Sequence, residues 1–398
     1  MATIVDGKTR IPFRRGMLEL FLIQRNFSHE EAHETANAVR EGLSKTDEIS
    51  KNKFVELVGQ LIHQRYGERS LGDLVFWDPL PSEIIVEGLA GERVWDQETL
   101  SRSLQTSGLS TDQAHRLAQI IETDLIETRT QRISTSKLEE LAAAKLAEKY
   151  DATYADRFLV WRRWSQSNRP LFILIGGAPG VGKTSLAVSL ANVLDIPRVV
   201  ATDDIRQIMR QILAAELMPI IHQSSYTAWT ELPPGSLQGG SAVIAGYREQ
   251  VDKINVGVQA ILKRCLEEST SVIIDGVHLL PDFIDPSQYD DSANLVNLCL
   301  AVSEQEAYKE RFTGRARQAP ARGSHKYLAN LDHILEIQAH VLERCARHKV
   351  PVIDMVTLDD ATREAVLVVG QYLSQQEGRQ PKAKKKRASS TKGKRSKK

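Results

Sequence analysis

Nine consecutive residues, Gly177, Ala178, Pro179, Gly180, Val181, Gly182, Lys183, Thr184 and Ser185, constrain this chain more than any other stretch. The run LFILI before them has the length and apolarity of a buried strand, and SLAVSLANVL after them repeats apolar residues at helical spacing. A glycine-rich loop between a strand and a helix is the setting of a phosphate-binding loop. Its glycines let backbone N–H groups turn inward as an anion nest, and the helix N-terminus adds partial positive charge. In that arrangement Lys183 reaches the β- and γ-phosphates and the Thr184 hydroxyl is placed to ligate Mg²⁺. The expected ligand is a nucleoside triphosphate. The loop alone does not say whether the triphosphate is transferred, hydrolysed for work or sensed.

With 398 residues, 41% of them hydrophobic, the chain is long enough for two or three domains. Its three cysteines, Cys265, Cys299 and Cys345, form neither a disulfide framework nor a CxxC metal pattern, which fits a reducing compartment. No apolar run reaches the length of a membrane span, and the opening MATIVDGKTR lacks the apolar stretch of a signal peptide, so a soluble cytoplasmic protein is expected. The net charge of +1 conceals a split: residues 379–398 hold 11 of the 52 Lys and Arg and none of the 51 Asp and Glu. Such a tail has nothing large and apolar to pack and is expected to be disordered. It suits nonspecific, salt-sensitive binding to nucleic acid, and it suits a solubilising role equally well.

The N-terminal part repeats. Setting Val5 on Val86, with one extra residue in the second copy before Trp95, superposes Phe13 on Trp95, Leu18 on Leu100, Leu22 on Leu104, Phe27 on Leu109, Ser28 on Ser110, Ala32 on Ala114 and Ala36 on Ala118. Each copy opens with a hairpin turn, Asp6-Gly7 or Glu87-Gly88, followed by an amphipathic helix, a serine N-cap at Ser28 or Ser110, and two further helices. From Leu171 onward, LFILI, PRVVAT, SVIIDG, NLVNLCLAV and VPVIDM alternate with helical patterns, which predicts a parallel sheet covered on both faces. The expected organisation is two small, mainly helical domains at 1–80 and 81–158, an α/β phosphate-loop domain at 159–375 and a basic tail at 376–398.

Chemistry in an open α/β sheet collects at the C-terminal ends of the strands. There Thr202-Asp203-Asp204-Ile205-Arg206 follows the second strand, offering Asp203 as a base for an acceptor hydroxyl and Asp204, Arg206 and Arg210 as binding groups. The aspartates could equally serve as caps of the helix that begins here. SVIIDGVH sets Asp275 at a strand end, where a carboxylate can hold Mg²⁺ together with Thr184 or simply close a turn, and places His278 three residues on as a substrate contact. Finally, YKERFTGRARQAPARG carries Arg311, Arg315 and Arg317 at helical spacing, suited either to a lid that neutralises transition-state charge, with Arg315 catalytic, or to a solvated basic face.

The repeated N-terminal unit resembles the ATP-cone, a nucleotide-sensing module, although both copies lack that module's basic pair before the hairpin turn. GGAPGVGKTS, ATDDIRQIMR, HQSSYTAW, IAGYREQV, VIIDGVHLLP and ERFTGRAR together resemble the 2-phosphoglycerate kinase family. That resemblance implies a phosphate-loop kinase fold, ATP and Mg²⁺ as cofactors, and transfer to the free hydroxyl of a small anionic phosphorylated acid. It implies an adenine nucleotide at the N-terminal modules as a second partner. A regulatory nucleotide sensor and a zeta-toxin-like nucleotide-sugar kinase are the alternatives the residues leave open.

Overall fold

The computed structural model describes residues 2–302 and 324–377, apart from 7–8, 24, 26, 45, 68–83, 89–90, 129, 168, 234, 236–239 and 290–291. Two compact units result, Met1–Leu159 and Val160–Lys398. The basic tail from residue 378 and the arginines at 311, 315 and 317 lie outside the described residues.

The first unit contains the same layout twice. In the first copy strands β1 (Thr3–Asp6), β2 (Thr9–Pro12) and β3 (Glu48–Ser50) accompany helices α1 (Arg15–Ile23), α2 (His29–Gly42) and α3 (Lys51–Tyr66). The second copy has β4 (Ile85–Gly88), β5 (Gly91–Val94), α4 (Gln97–Gln105), α5 (Thr111–Glu127), β6 (Arg132–Ser134) and α6 (Thr135–Lys149). Each sheet has three strands, ordered β2-β1-β3 and β5-β4-β6, the central strand antiparallel to its hairpin partner and parallel to the third. Both second helices start on the expected serine. Ser28 Oγ accepts from Glu31 N while Glu31 accepts from Ser28 N, and Ser110 and Gln113 repeat the reciprocal pair. Each copy has its own core, one centred on Leu18, Leu22, Phe54 and Val58, the other on Leu104, Leu117, Ile121 and Leu146.

The structure moves the alignment of the two hairpins by one residue. Phe13 N donates to Ala2 O and Trp95 N to Ile84 O, Thr3 pairs with Pro12 as Ile85 does with Val94, and Ile4 pairs with Ile49 as Val86 does with Ile133. Ile4 therefore corresponds to Val86, and Asp6 to Gly88 rather than to Glu87. Matching Val-Asp-Gly to Val-Glu-Gly followed the turn letters, whereas burial sets the register. Ile4 and Val86 are the residues driven inward, and a slip of one would turn every side chain to the opposite face. The three-residue strands β3 and β6 escape a sequence reading because they are too short to show alternation and run straight into the next helix.

Helix α7 (Ala152–Ser165) supplies residues to both units. Ala155 and Phe158 lie in a core of the first, Val160 and Trp161 in the core of the second.

The second unit is built on β7 (Leu171–Gly176), β8 (Val199–Ala201), β9 (Val272–Asp275), β10 (Asn294–Ala301) and β11 (Val352–Asp354). The sheet is entirely parallel, in the order β11-β10-β7-β9-β8. Every residue of β7 is buried, as its unbroken apolar sequence requires for a strand covered on both faces. Ile173 and Ile175 pack in one layer with α8 (Lys183–Leu194) and α13 (Leu358–Glu377), while Phe172 and Leu174 pack in another with α9 (Thr202–Ile212) and α10 (Ala242–Glu267). The remaining helices are α11 (Ser324–Ala329) and α12 (Leu331–His348). Strand β8 lies beyond β9 on one side of β7 and β10 lies on the other, so the chain reverses direction across the sheet at β7. That reversal opens a crevice at the C-terminal ends of the strands, where the glycine loop begins.

The long segment after α9 contains two short 3-10 turns, Pro219–His222 and Ala228–Glu231, before α10 starts. The three cysteines are free and buried.

Candidate active site

Backbone conformation explains the glycines. Gly177, Gly180 and Gly182 have φ of 139°, 88° and 104°, a region that disfavours side chains. A Cβ on Gly177 would also run into the carbonyl oxygen of Leu300, and one on Gly176 would lie 2.5 Å from the carbonyl oxygen of Leu279. The loop thus lies against the backbone of its neighbours, with Gly182 as the N-cap of α8. Lys183, only 8% exposed, donates from Nζ to the Ala178 carbonyl oxygen at 2.8 Å, so its ammonium lies along the loop. Thr184 Oγ1 donates to Asp275 Oδ2 at 2.8 Å.

Asp275 ends β9, and Ile175 and Ala201 are its register partners in the adjoining strands. It is 2% exposed, and its Oδ1 is buried with no hydrogen-bond partner among the described residues. Burial raises its pKa above the ordinary carboxylate value, opposed by the Thr184 hydroxyl and the charge of Lys183. A lone-pair-bearing oxygen left unsatisfied beside a hydroxyl suits a hard cation. Among the described residues no cluster of three His, Cys, Asp or Glu is present to cage one. A cation here would take Thr184 and Asp275 and complete its shell from phosphate oxygens and water, as Mg²⁺ does.

The second cluster surrounds the start of α9. Its N-cap is Ala201 with no side-chain cap, so neither Asp203 nor Asp204 caps the helix. Asp203 is exposed, and its Oδ1 lies 3.2 Å from both Nε and Nη2 of Arg206. Arg206 also donates from Nη1 to the carbonyl oxygens of Gln223 at 2.8 Å and Ile221 at 3.4 Å. Arg210 instead donates to Gln207 on its own helix.

His278 is 1% exposed with both ring nitrogens engaged, Nδ1 at 2.8 Å from Thr202 Oγ1 and Nε2 at 3.1 Å from Gln250 Oε1. Burial pushes its pKa down to about 3, so the ring is neutral. Sequence reasoning singled out His278 and missed Gln250 and Thr202. The available cue was the apolar stripe Val243, Tyr247, Val251, Ile254 and Val258 of α10, on which a glutamine falls at 250.

Comparison with known proteins supplies a family. Residues 93–167 match the family model described as the ATP cone domain. The 2-phosphoglycerate kinase of Methanococcus maripaludis (strain C5) is 33% identical over 296 residues, covering 74% of this chain and 94% of its own length. That of Pyrococcus furiosus is 36% identical over 260 residues, covering 65% of this chain and 84% of its own. Among solved structures, a gluconokinase from Sinorhizobium meliloti 1021 aligns with 52% of this chain and 97% of its own at 14% identity and a TM-score of 0.32. Identity of that order, sustained over 94% of the Methanococcus enzyme and 84% of the Pyrococcus enzyme, places this chain in the 2-phosphoglycerate kinase family.

Proposed function

We propose that this protein transfers the γ-phosphoryl group of ATP to the free hydroxyl of 2-phosphoglycerate, giving 2,3-bisphosphoglycerate and ADP. The observation that carries the proposal is the glycine loop with Lys183 and Thr184 set against Asp275 at the strand ends, in a chain whose relatives bear that activity in their names. The glycine loop and the N-terminus of α8 cradle the phosphates, and Lys183 turns from the Ala178 carbonyl to their charge. Thr184 and Asp275 are the residues that would hold Mg²⁺, which would offset the charge of the phosphates. Asp203 accepts the proton of the acceptor hydroxyl as its oxygen bonds to the γ-phosphorus and the bond to the ADP oxygen breaks. Arg206 presents Asp203 and, with Arg210 and Asp204 nearby, faces the anionic acceptor. Arg311, Arg315 and Arg317 are assigned to charge neutralisation over the transferred group.

The direct test mixes the chain with ATP, Mg²⁺ and 2-phosphoglycerate and follows formation of the bisphosphate by ³¹P NMR; no transfer overturns the proposal. Asp203→Asn is expected to lower kcat by about 10²–10⁴-fold with ATP affinity retained, the range for loss of a general base. Arg206→Ala, which removes both the acceptor's anionic anchor and the guanidinium that holds Asp203, is expected to raise KM for the acceptor and to lower kcat by about 10-fold or more. Wild-type kinetics in both variants move the acceptor site elsewhere.

The tandem N-terminal modules are assigned to regulation by an adenine nucleotide. A chain beginning at Ala152 keeps Val160 and Trp161, which belong to the core of the second unit. It is expected to retain phosphotransfer and lose modulation by added ADP or dATP, a coupling typically worth about 1–3 kcal/mol. A soluble, folded truncation without activity refutes that division of labour.

A further inference from the structure

The polar groups behind the acceptor cluster form one unbroken chain of hydrogen bonds whose direction can be deduced. Gln250, fully buried on α10, places Nε2 at 2.7 Å from the Ile220 carbonyl oxygen and 3.1 Å from that of Gln223. Carbonyl oxygens only accept, so both hydrogens of this amide are committed to the turn at 220–223. Its Oε1 can then only accept, and His278 Nε2 at 3.1 Å must be the donor. A neutral ring protonated on Nε2 has a lone pair on Nδ1, so the Thr202 hydroxyl at 2.8 Å donates to it. Hydroxyl, ring, amide and backbone carbonyls thus run with a single polarity. Gly276 makes room for its first member, because any Cβ there would overlap Thr202 Oγ1.

The far end of this chain meets the proposed base. The Gln223 carbonyl oxygen that accepts from Gln250 also accepts from Arg206 Nη1 at 2.8 Å. The turn is therefore held by Gln250 on one side and Arg206 on the other. Nε and Nη2 of Arg206, its remaining donors in use, hold Asp203 Oδ1 at 3.2 Å. We propose that Thr202, His278 and Gln250 are positioning residues for phosphoryl acceptance: the Nε2-protonated ring fixes the Gln250 amide, the amide fixes the carbonyls of residues 220–223, and those carbonyls set the guanidinium that orients Asp203. His278 accordingly acts through other residues and does not touch substrate. The inference rests on the reading of Asp203 as the base.

Two measurements test it. Long-range ¹⁵N–¹H NMR of the full chain labelled at histidine, with the His278 signals identified by their loss in His278→Gln, reads the ring without turnover. Protonated Nε2 and bare Nδ1 at neutral pH are expected; the opposite tautomer or an imidazolium overturns the deduced polarity. In the kinetic arm Gln250→Leu is expected to lower kcat for 2-phosphoglycerate by about 10-fold or more, with KM for ATP unchanged, and to cost less than about 2-fold when Arg206 is already alanine. An equal factor in both backgrounds refutes transmission through Arg206. Should Gln250→Leu fail to fold, Thr202→Val, which removes only the hydroxyl, replaces it in the same cycle, with recovery in Thr202→Ser. If the unaltered chain transfers nothing to 2-phosphoglycerate, the functional reading falls and the positioning role with it, while the NMR result still decides the tautomer.

Discussion

Lys183→Ala is expected to lower kcat by about 10²–10³-fold, the cost of removing one preorganised charge from the place where negative charge develops. Its ammonium donates to the carbonyl oxygen of Ala178 at 2.8 Å, and that carbonyl belongs to the loop itself. A triphosphate oxygen would offer the ammonium a formally charged acceptor in place of this neutral carbonyl, so the lysine's energetic weight lies in the complex. The loop's shape depends instead on glycine backbone at 177, 180 and 182, which the substitution leaves untouched. Circular dichroism and hydrodynamic size should therefore match the unaltered chain while transfer collapses and the thermal shift on adding ATP shrinks. Lys183→Arg is not a rescue, because a planar guanidinium does not fit a site 8% exposed and lined by backbone. Transfer by Lys183→Ala at a rate within about 10-fold of the unaltered chain would falsify the assignment of this loop as the phosphate site.

Most of this site was legible because its chemistry is local in sequence. Glycine spacing, a strand before and a helix after suffice to place Gly177–Ser185, and the apolar runs of the five strands are long enough to count, so the parallel sheet followed. Asp275 was readable as a strand-end carboxylate. Its place beside Thr184 at a cation was readable too, but the direct hydrogen bond between the two side chains was not, because it depends on the pairing of Ile175 with Asp275 across the sheet. Asp203 and Arg206 were visible as a pair one helical turn apart, but not the backbone carbonyls that share the arginine. The reading of His278 as a substrate contact treated a histidine at a strand end as if it pointed outward. Its partners, Gln250 and Thr202, come from α10 and α9, and a polar residue on a buried stripe is recognised only once the stripe has something to face. In the N-terminal copies the helix starts were legible from Ser28 and Ser110, while their partners Glu31 and Gln113 appeared only in the structure and the hairpin register was set by burial that the turn letters did not encode.

Asp275→Asn should separate stability from function in opposite directions. Asp275 is buried between the glycine loop and β8, and burial holds its proton to a higher pH than in the unfolded chain. In the window above the ordinary carboxylate value of 3.8, the unfolded chain therefore binds fewer protons than the folded one. Stability must then fall as pH rises through the folded value. At neutral pH the nucleotide-free protein carries a buried carboxylate answered by the Thr184 hydroxyl and the Lys183 charge, with Oδ1 unpartnered among the described residues. Asparagine keeps the shape and can still accept from Thr184 while removing the charge. The nucleotide-free variant should melt higher at neutral pH, by about 2–4 °C, the shift that about 1 kcal/mol produces in a domain of this size. The gain should vanish in acid, where the aspartate is protonated too. In the same variant kcat should drop by about 10²–10³-fold, and added Mg²⁺ should lose its effect on the ATP-induced thermal shift. A variant that melts lower at neutral pH, or that keeps its Mg²⁺ response, would mean that Asp275 closes a turn and nothing more. The expected pair of results instead marks a carboxylate kept uncomfortable in the empty enzyme, where stability is given up for a charge that becomes useful only when nucleotide arrives.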